Sequence, residues 1–437
     1  MEVSEKTKNN KQHFDVVISG GGLSGSLMAL SLLALKKTDG SALSIAIVEA
    51  NSTDVSHADK AQEKSSQKSV FDDRVLALSH ASANYLKTLN VWPLLQPHAQ
   101  PISHIHISDR GYYGKARITA EEHNVSAVGY VIEMSKLGAA LHASLDHHVK
   151  NSASLTWFTP DTIEHIEWHS EFVNITLAST QQLSASLLIG CDGAHSVCRQ
   201  AANIQCDKTE YEQSALITNV STALPHNGVA FERFTQNGPI AMLPLVKVAN
   251  EHSRCSLVWT LTPEQAVEMK SLTDNEFKIV LEQAFGSWLG AIDKVGKRHI
   301  FPLSLVQAQE QVYHRMALVG NASHTIHPIA GQGFNLGLRD VEALAKTVKK
   351  ALSSNVGNSN ATNSNKDIGA FNLLTEYAES RKKDHQHIIT LTDSLVTLFS
   401  NDLFPLVVGR NIGLKVLNYV PTIKKTFVNK AMGYASY

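Results

Sequence analysis

The chain has 437 residues, 43% hydrophobic and 18% charged, with 39 Lys and Arg against 40 Asp and Glu. That length allows a large core and more than one domain. The even charge balance excludes a chain built to bind nucleic acid, which needs a basic excess or stripe. The four cysteines, Cys191, Cys198, Cys206 and Cys255, are irregularly spaced and never form C-x-x-C, which excludes a disulfide scaffold and argues against zinc.

The opening "MEVSEKTKNNKQH" is polar and lacks the apolar stretch of a signal peptide. The longest strongly apolar piece, "LMALSLLAL" at 27–35, is too short to span a bilayer. The expectation is a cytoplasmic protein, in which the glycosylation patterns at Asn321 and Asn360 go unused. Residues 1–12, 51–69 and 353–367 hold too few apolar side chains to offset the cost of ordering, and read as a tail and two loops.

Residues 14–19 read as a short buried strand. Leu23, Leu27, Leu30 and Ala34 then recur at helical spacing, Gly40 fits a helix stop, and residues 44–50 form the next strand. Such a β-α-β unit implies parallel strands. Between strand and helix lies "GGGLSG", a G-x-G-x-x-G at Gly20, Gly22 and Gly25. The first glycine permits a tight turn, the second lets backbone approach a pyrophosphate, and the third lets the helix pack on the strand. The free N–H groups of the helix end suit an anion. Glu49 ends the next strand, where it can accept hydrogen bonds from an adenosine ribose.

A second motif, "LLIGCDGAHSVCR" at 187–199, runs a buried strand into Asp192 and Gly193. A carboxylate there can bind a ribityl or ribose hydroxyl, and Arg199 can pair with an anion. A plain D-G turn is the alternative. "SALITNVST", "GVAFERFTQNGPIAMLPL" and "RCSLVWTLT" follow as strands separated by turn residues, a mixed or antiparallel sheet.

The third motif, "MALVGNASHTIHPIAGQGFN" at 316–335, is a buried strand, a polar loop, then Gly331 and Gly333 at a helix start. Phe334, Leu338, Val341, Ala345 and Val348 share one face of that helix. Its N-terminus suits a nucleotide phosphate, or a flavin ring whose N1–C2=O edge becomes negative on reduction. Of 21 His, His324 and His327 are three apart in this loop, but no set with two further ligands forms, so no metal is expected.

Taken together, the three motifs resemble the family of FAD-dependent aromatic-ring monooxygenases. The third is similar to the signature of its ubiquinone-biosynthesis hydroxylases, H-P-x-[AG]-G-Q-G-x-N-x-G-x-x-D, matched by His327, Pro328, Ala330, Gly331, Gln332, Gly333, Asn335, Gly337 and Asp340. "DDRVLALS", "HISDRG", "FERFTQNGPIAMLP", "CSLVW", "TDSLVTLF" and "PLVVGRNIGL" extend the likeness over nearly the whole chain. The resemblance implies an α/β fold: a Rossmann-like FAD-binding domain of aromatic-hydroxylase type, a second mixed or antiparallel-sheet substrate domain, and a helical C-terminus. The FAD-binding parts are expected at 13–100, 128–205 and 301–350, and the substrate parts at 101–127 and 206–300. A tail at 1–12, a flexible loop at 351–370 and a helical region at 371–437 complete the expected division.

The resemblance also implies roles. Gly20, Gly22, Gly25 and Glu49 hold the adenosine diphosphate half of FAD. Arg74 lies near the flavin and its phosphates. Asp192 sits beside the cofactor and the NAD(P)H path, and Asn321 binds the ribityl chain. Gly331, Gly333 and Asn335 face the flavin ring, and Pro328 lines the substrate side. The wider family has Gly-Asp where this chain has Gly320-Asn321, an uncharged hydrogen-bonding substitute. No general base is assigned; His324 is the candidate, with a structural loop His as the alternative.

The implied reaction is hydroxylation of a polyprenyl-methoxyphenol ring with FAD, NAD(P)H and O₂. The alternatives are another ring position, a flavoprotein oxidoreductase that inserts no oxygen, and a non-catalytic flavin-binding subunit. Other ubiquinone-biosynthesis proteins are expected partners. After Asp402 the chain has no acid, while Arg410, Lys415, Lys424, Lys425 and Lys430 stand among apolar residues. That pattern suits peripheral contact with an anionic inner-membrane surface, or a solvated helical cap.

Overall fold

Two large sheets and a set of covering helices form the structure, a computed structural model. It describes residues 11–52, 74–111, 114–151, 154–235, 238–248, 253–326, 331–353, 367–399, 411, 413, 415–416 and 418–434. Pro328 and most of 351–370 lie outside the described residues, as do residues 1–10.

The elements that build the site follow in chain order. They are β1 (Gln12–Ser19), α1 (Leu23–Leu33), β2 (Ile45–Val48), β3 (Val75–Ser79), β4 (His104–Asp109), β5 (Gln182–Gly190), β6 (Cys206–Thr222), β7 (Val229–Thr235), β8 (Gly238–Leu245), β9 (Ser253–Leu261), β10 (His299–Ala308), β11 (Met316–Leu318), α2 (Gln332–Ser353), α3 (Phe371–Phe399) and α4 (Pro421–Ala431).

The first sheet has eight strands among the described residues, and β1 sits at its centre between β2 and β5. Both pairings are parallel, and β5 pairs in parallel with β11. Val16, Val17, Ile18 and the four residues of β2 are buried, the near-continuous apolar pattern of strands covered on both faces. All three sequence motifs therefore leave this sheet at its strand ends: Gly20 after β1, Cys191 and Asp192 after β5, Gly320 and Asn321 after β11. The crevice beyond the carboxyl ends of parallel strands is where ligands bind in such sheets.

Helix α1 stops at Leu33, short of Gly40. Gly40, at φ +84°, serves a turn closed by a bridge between Lys36 and Ala42 instead. Helix α2 buries Leu338, Val341, Ala345 and Val348 against the sheet and α1, as its periodicity demands.

The second sheet has nine strands among the described residues, in the path β10, β6, β9, β8, β7, β4 with short strands at both ends. All these neighbours are antiparallel except β4 and β7, which run parallel. One face packs on helices Pro263–Ser271 and Asp274–Phe285, each opened by a Thr capping box. The other face looks back toward β3 and the start of α2.

Candidate active site

Gly20 adopts φ +94°, and a Cβ there would lie 2.6 Å from the Cys191 carbonyl oxygen. A Cβ at Gly25 would run into the Gly20 carbonyl oxygen, so these two positions let strand, turn and helix close on one another. Gly22 differs: a Cβ there would meet no atom within 4 Å. It caps α1 without a side-chain hydrogen bond, so the first N–H groups of the helix have no protein partner from a cap. Glu49 braces the same turn. Its Oε2 accepts the Gly21 N–H at 2.7 Å, and its Oε1 accepts from Asn51 N at 2.9 Å and Asn51 Nδ2 at 3.0 Å.

Asp192 turns one oxygen to the protein and one away. Oδ2 accepts the Cys198 N–H at 3.1 Å and the Ser19 hydroxyl at 3.4 Å. Oδ1 is buried with no partner among the described residues, an arrangement that favours a ligand bringing a donor. Arg199, expected to meet an anion, is buried and gives Nη1 to the Ala322 carbonyl at 2.8 Å and Nη2 to the Ala194 carbonyl at 2.7 Å. It staples the Asp192 loop to the Asn321 loop, and the anion reading of Arg199 is withdrawn. Asn321 is exposed and lines the cavity described below.

Gly331 adopts φ +62°, and a Cβ there would lie 2.8 Å from the Ala77 methyl of β3. Gly333 has more room, its nearest neighbour being Ile326 at 3.6 Å. Asn335 borders the cavity, but its amide is wholly committed. Nδ2 donates to the Ala77 carbonyl at 2.8 Å and the Gly331 carbonyl at 2.7 Å. Oδ1 accepts the Ser79 N–H at 2.8 Å and the Ser82 hydroxyl at 2.7 Å. An amide has two donors and two lone pairs, so Asn335 positions β3 against α2 and leaves no polar atom over for a flavin. Arg74 is exposed, with its guanidinium over the Phe301 ring at 5.8 Å.

His324 does not reach the cavity wall. It is 1% exposed and lies with Asp340 and His385 in a buried group, Nδ1 being 3.6 Å from Asp340 Oδ2. Burial, with His385 and Arg381 adding, pushes its pKa down to about 3. A neutral ring walled in behind the loop cannot take a proton from a ligand in the cavity, so the general-base candidacy of His324 is withdrawn. Asp340 Oδ1 accepts from Arg381 Nε and from His385 Nε2, each at 2.7 Å. These three ligand types are close enough to hold a metal ion, but the Arg381 guanidinium already supplies the cation that Asp340 needs. The signal for Arg381, Asp384 and His385 is an i, i+3, i+4 polar face on an otherwise core-facing helix.

A cavity of about 740 Å³ joins these pieces. One end is bounded by Leu23, Ser24, Gly320, Asn321 and Gly193, the glycine-rich edge of the first sheet. The middle is bounded by β3 and by Gly331, Gly333 and Asn335. The far wall is the inner face of the second sheet, with Phe427 and Ala431 of α4 closing one side. Among the described residues that wall is apolar except for Thr325 at the edge of the sheet and Glu232, whose place the sequence did not show.

The residues fit FAD. A turn without side chains, an uncapped helix end and the unpaired Asp192 oxygen lie along one edge, and a long cavity runs from them past the Gly331 turn. Residues 166–362 match the family described as FAD binding domain. The chain is 32% identical to the ubiquinone hydroxylase UbiL of Rhodospirillum rubrum, over 96% of this chain and 89% of that protein. It is 30% identical to the zebrafish (Danio rerio) mitochondrial ubiquinone biosynthesis monooxygenase COQ6, over 99% of this chain and 91% of that one. The crystal structure of p-nitrophenol 4-monooxygenase PnpA from Pseudomonas putida superposes with a TM-score of 0.72 at 16% identity, covering 98% of this chain and 100% of that one, and shares the fold. Full-length similarity at this level, on a fold with these three glycine turns, makes the chain a member of the family of FAD-dependent monooxygenases of ubiquinone biosynthesis.

Proposed function

We propose that the protein hydroxylates the ring of a polyprenyl-methoxyphenol on the way to ubiquinone, using NAD(P)H and O₂ with FAD as its cofactor. The observation that carries this reading is the single cavity that joins the glycine turns to a long apolar wall. A prenylated ring needs both: a polar cofactor end and a hydrocarbon slot.

Bound FAD would supply the redox chemistry that couples NAD(P)H and O₂ to the ring. The chain binds, orients and excludes water. Gly22 and the α1 N-terminus receive the pyrophosphate, while Gly20 and Gly25 shape the turn and Glu49 meets the ribose. Asp192 Oδ1 and Asn321 take ribityl hydroxyls. Gly331 and Gly333 bring backbone to the ring edge, Asn335 holds that backbone in place, and Arg74 stands near the phosphates. The apolar wall keeps bulk water from the reacting atoms.

The deciding experiment gives FAD-loaded protein the prenylated phenol, NAD(P)H and O₂, and identifies the ring product by mass spectrometry. The expected product carries one added hydroxyl. Addition at another ring position moves the substrate assignment, and substrate-stimulated NAD(P)H oxidation without ring oxygen points to a plain oxidoreductase.

We also propose peripheral membrane contact through α4. No helix among the described residues is long and apolar enough to cross a membrane. Phe427 and Ala431 line the cavity, while Tyr419 and Ile423 just before them are 78% and 49% exposed and Lys425 is exposed. Lys424 is held by Glu122 at 2.6 Å, and Lys430 lies 3.0 Å from His387, so the basic set is smaller than the sequence suggests. Flotation with anionic liposomes tests this. Lys425→Gln should weaken binding and Ile423→Asp should abolish it, whereas unchanged flotation in both would leave delivery of the lipid to a partner protein.

A further inference from the structure

We propose that Glu232 is a catalytic residue that accepts the phenol O–H proton of the substrate. This rests on the hydroxylase reading above.

The argument begins with strand register. Glu232 of β7 stands opposite Ala241 of β8 and opposite Ile107 of β4. Ala241 stands opposite Val258 of β9, and Val258 opposite Ile217 of β6. Side chains directly opposite on neighbouring strands share a face. Ile217, Val258, Ala241, Glu232 and Ile107 therefore form one row across the sheet, and all five line the cavity. Four are apolar and one is a carboxylic acid. The small Ala241 beside it leaves the carboxylate room.

Glu232 has no hydrogen-bond or ion-pair partner among the described residues, although it is only partly exposed. An acid on an apolar face is costly unless a ligand uses it. Among the described lining residues there is no Lys, Arg, His or Asp, and the one other ionisable group is the Cys191 thiol, whose pKa burial drives well above its usual value. The groups flanking Glu232 in its row carry no charge. Burial alone pushes its carboxyl up to about 7, so near neutral pH it gains and loses a proton readily.

The chemistry needs such a group. Oxygen transfer to an aromatic ring is electrophilic, and a phenol ring becomes more electron-rich as its O–H bond breaks. The phenol proton passes to a Glu232 carboxylate oxygen as the new C–O bond forms. The ring carbon then loses its hydrogen as a proton, the ring regains aromaticity, and Glu232 returns its proton to the phenol oxygen. The O–O bond breaks as the C–O bond forms, NAD(P)H supplies two electrons as hydride and solvent supplies one proton, and the second oxygen atom takes the proton lost by the ring carbon and leaves as water. No net charge remains on the wall.

The test uses FAD-loaded protein with Glu232→Gln, Glu232→Asp and Glu232→Leu. FAD content should match wild type in all three, because Glu232 lies on the sheet wall away from the glycine turns. With prenylated phenol, Glu232→Gln should lose about a hundredfold in kcat with a much smaller change in KM. The wild-type rate should rise with pH through about 7, well below the phenol's own ionisation near 10. Glu232→Gln should lack that rise, and Glu232→Asp should restore the rise and part of the rate. Without NAD(P)H, wild type above pH 8 should bind the phenol about tenfold more tightly than its O-methyl ether, and Glu232→Leu should bind the two alike. Wild-type rate and pH profile in Glu232→Gln, or an unchanged preference in Glu232→Leu, would overturn the proposal while leaving the hydroxylase reading intact. Wild-type protein that holds FAD yet never adds oxygen to the ring would overturn both.

Discussion

Asp340 Oδ1 accepts a hydrogen bond from Arg381 Nε at 2.7 Å in a group closed to solvent, while its Oδ2 lies 3.3 Å from the Gly320 N–H. One carboxylate thus ties helix α3 to the loop that presents Asn321. Helix α2 approaches that loop closely, and a Cβ at Gly337 would sit 3.0 Å from the Gly320 Cα. Asp340→Ala removes the carboxylate that Arg381 Nε and His385 Nε2 share, and leaves the buried guanidinium only Asp384, whose Oδ2 lies 2.6 Å from Arg381 Nη2. The expected loss is about 3–5 kcal/mol, read from urea unfolding. Flavin affinity should weaken with it as the Gly320 turn loosens. A variant of wild-type stability would mean that Asp384 alone is enough to hold Arg381.

His324 gives the pH dependence. Its folded pKa is lowered to about 3 from an unfolded value near 6.5. Below 6.5 the unfolded chain binds the extra proton more readily than the fold does, so stability falls as pH drops from about 6.5 toward 3. Asp340, which burial pushes up but His385, His324 and Arg381 together hold far below the usual carboxylate range, adds to the fall only under more acid conditions. Melting temperatures between pH 7 and 4 should decline, and His324→Gln should reduce the slope.

Gly22 and Gly25 separate binding from folding. A Cβ at Gly22 has no protein atom within 4 Å, so Gly22→Val should fold with near wild-type stability and come out colourless, because the side chain would occupy the proposed approach of the cofactor. Gly25→Val drives a side chain into the Gly20 carbonyl and should lower stability as well. Normal flavin content in Gly22→Val would remove the pyrophosphate from this turn.

Asn321 is the residue proposed to meet the ribityl chain, and it lines the cavity. Asn321→Leu deletes a hydrogen-bonding group at an exposed cavity edge. Leaving a ligand hydroxyl unpaired costs roughly 1–3 kcal/mol, so the FAD dissociation constant should rise about ten- to a hundredfold. An unchanged constant in flavin fluorescence titrations would place the ribityl contact elsewhere, with Asp192 as the next candidate.

The two glycines at the start of α2 should behave differently. Gly331→Val must adopt a positive φ and displace Ala77, so FAD should stay bound while reduction slows and hydrogen peroxide leaks. Gly333→Ala finds ordinary contact distances and should remain close to wild type in coupling. Oxygen uptake compared with product formed distinguishes the pair.

The sequence by itself determined the cofactor edge. Its parts are local: a glycine turn between β1 and α1, a D-G turn after β5, and a glycine pair before α2, each readable within about twenty residues. The alternation in the middle of the chain and the period of α2 were legible for the same reason, since side-chain direction repeats every 2 or 3.6 residues. What only the tertiary structure decided lies between distant segments. Glu232 looked like any strand residue until register set it among Ile107, Ala241, Val258 and Ile217, which come from four other strands. His324 stood open as a base or a structural loop His until α3 brought Arg381 and His385 against Asp340 and shut it in. Asn335 looked like a ligand contact until Ala77 and Ser79 of β3, Ser82 just beyond it and the Gly331 carbonyl took all four of its hydrogen bonds. A local motif states which backbone shape is affordable. Which polar atom remains unsatisfied, and so faces a ligand, depends on every neighbour that the fold delivers.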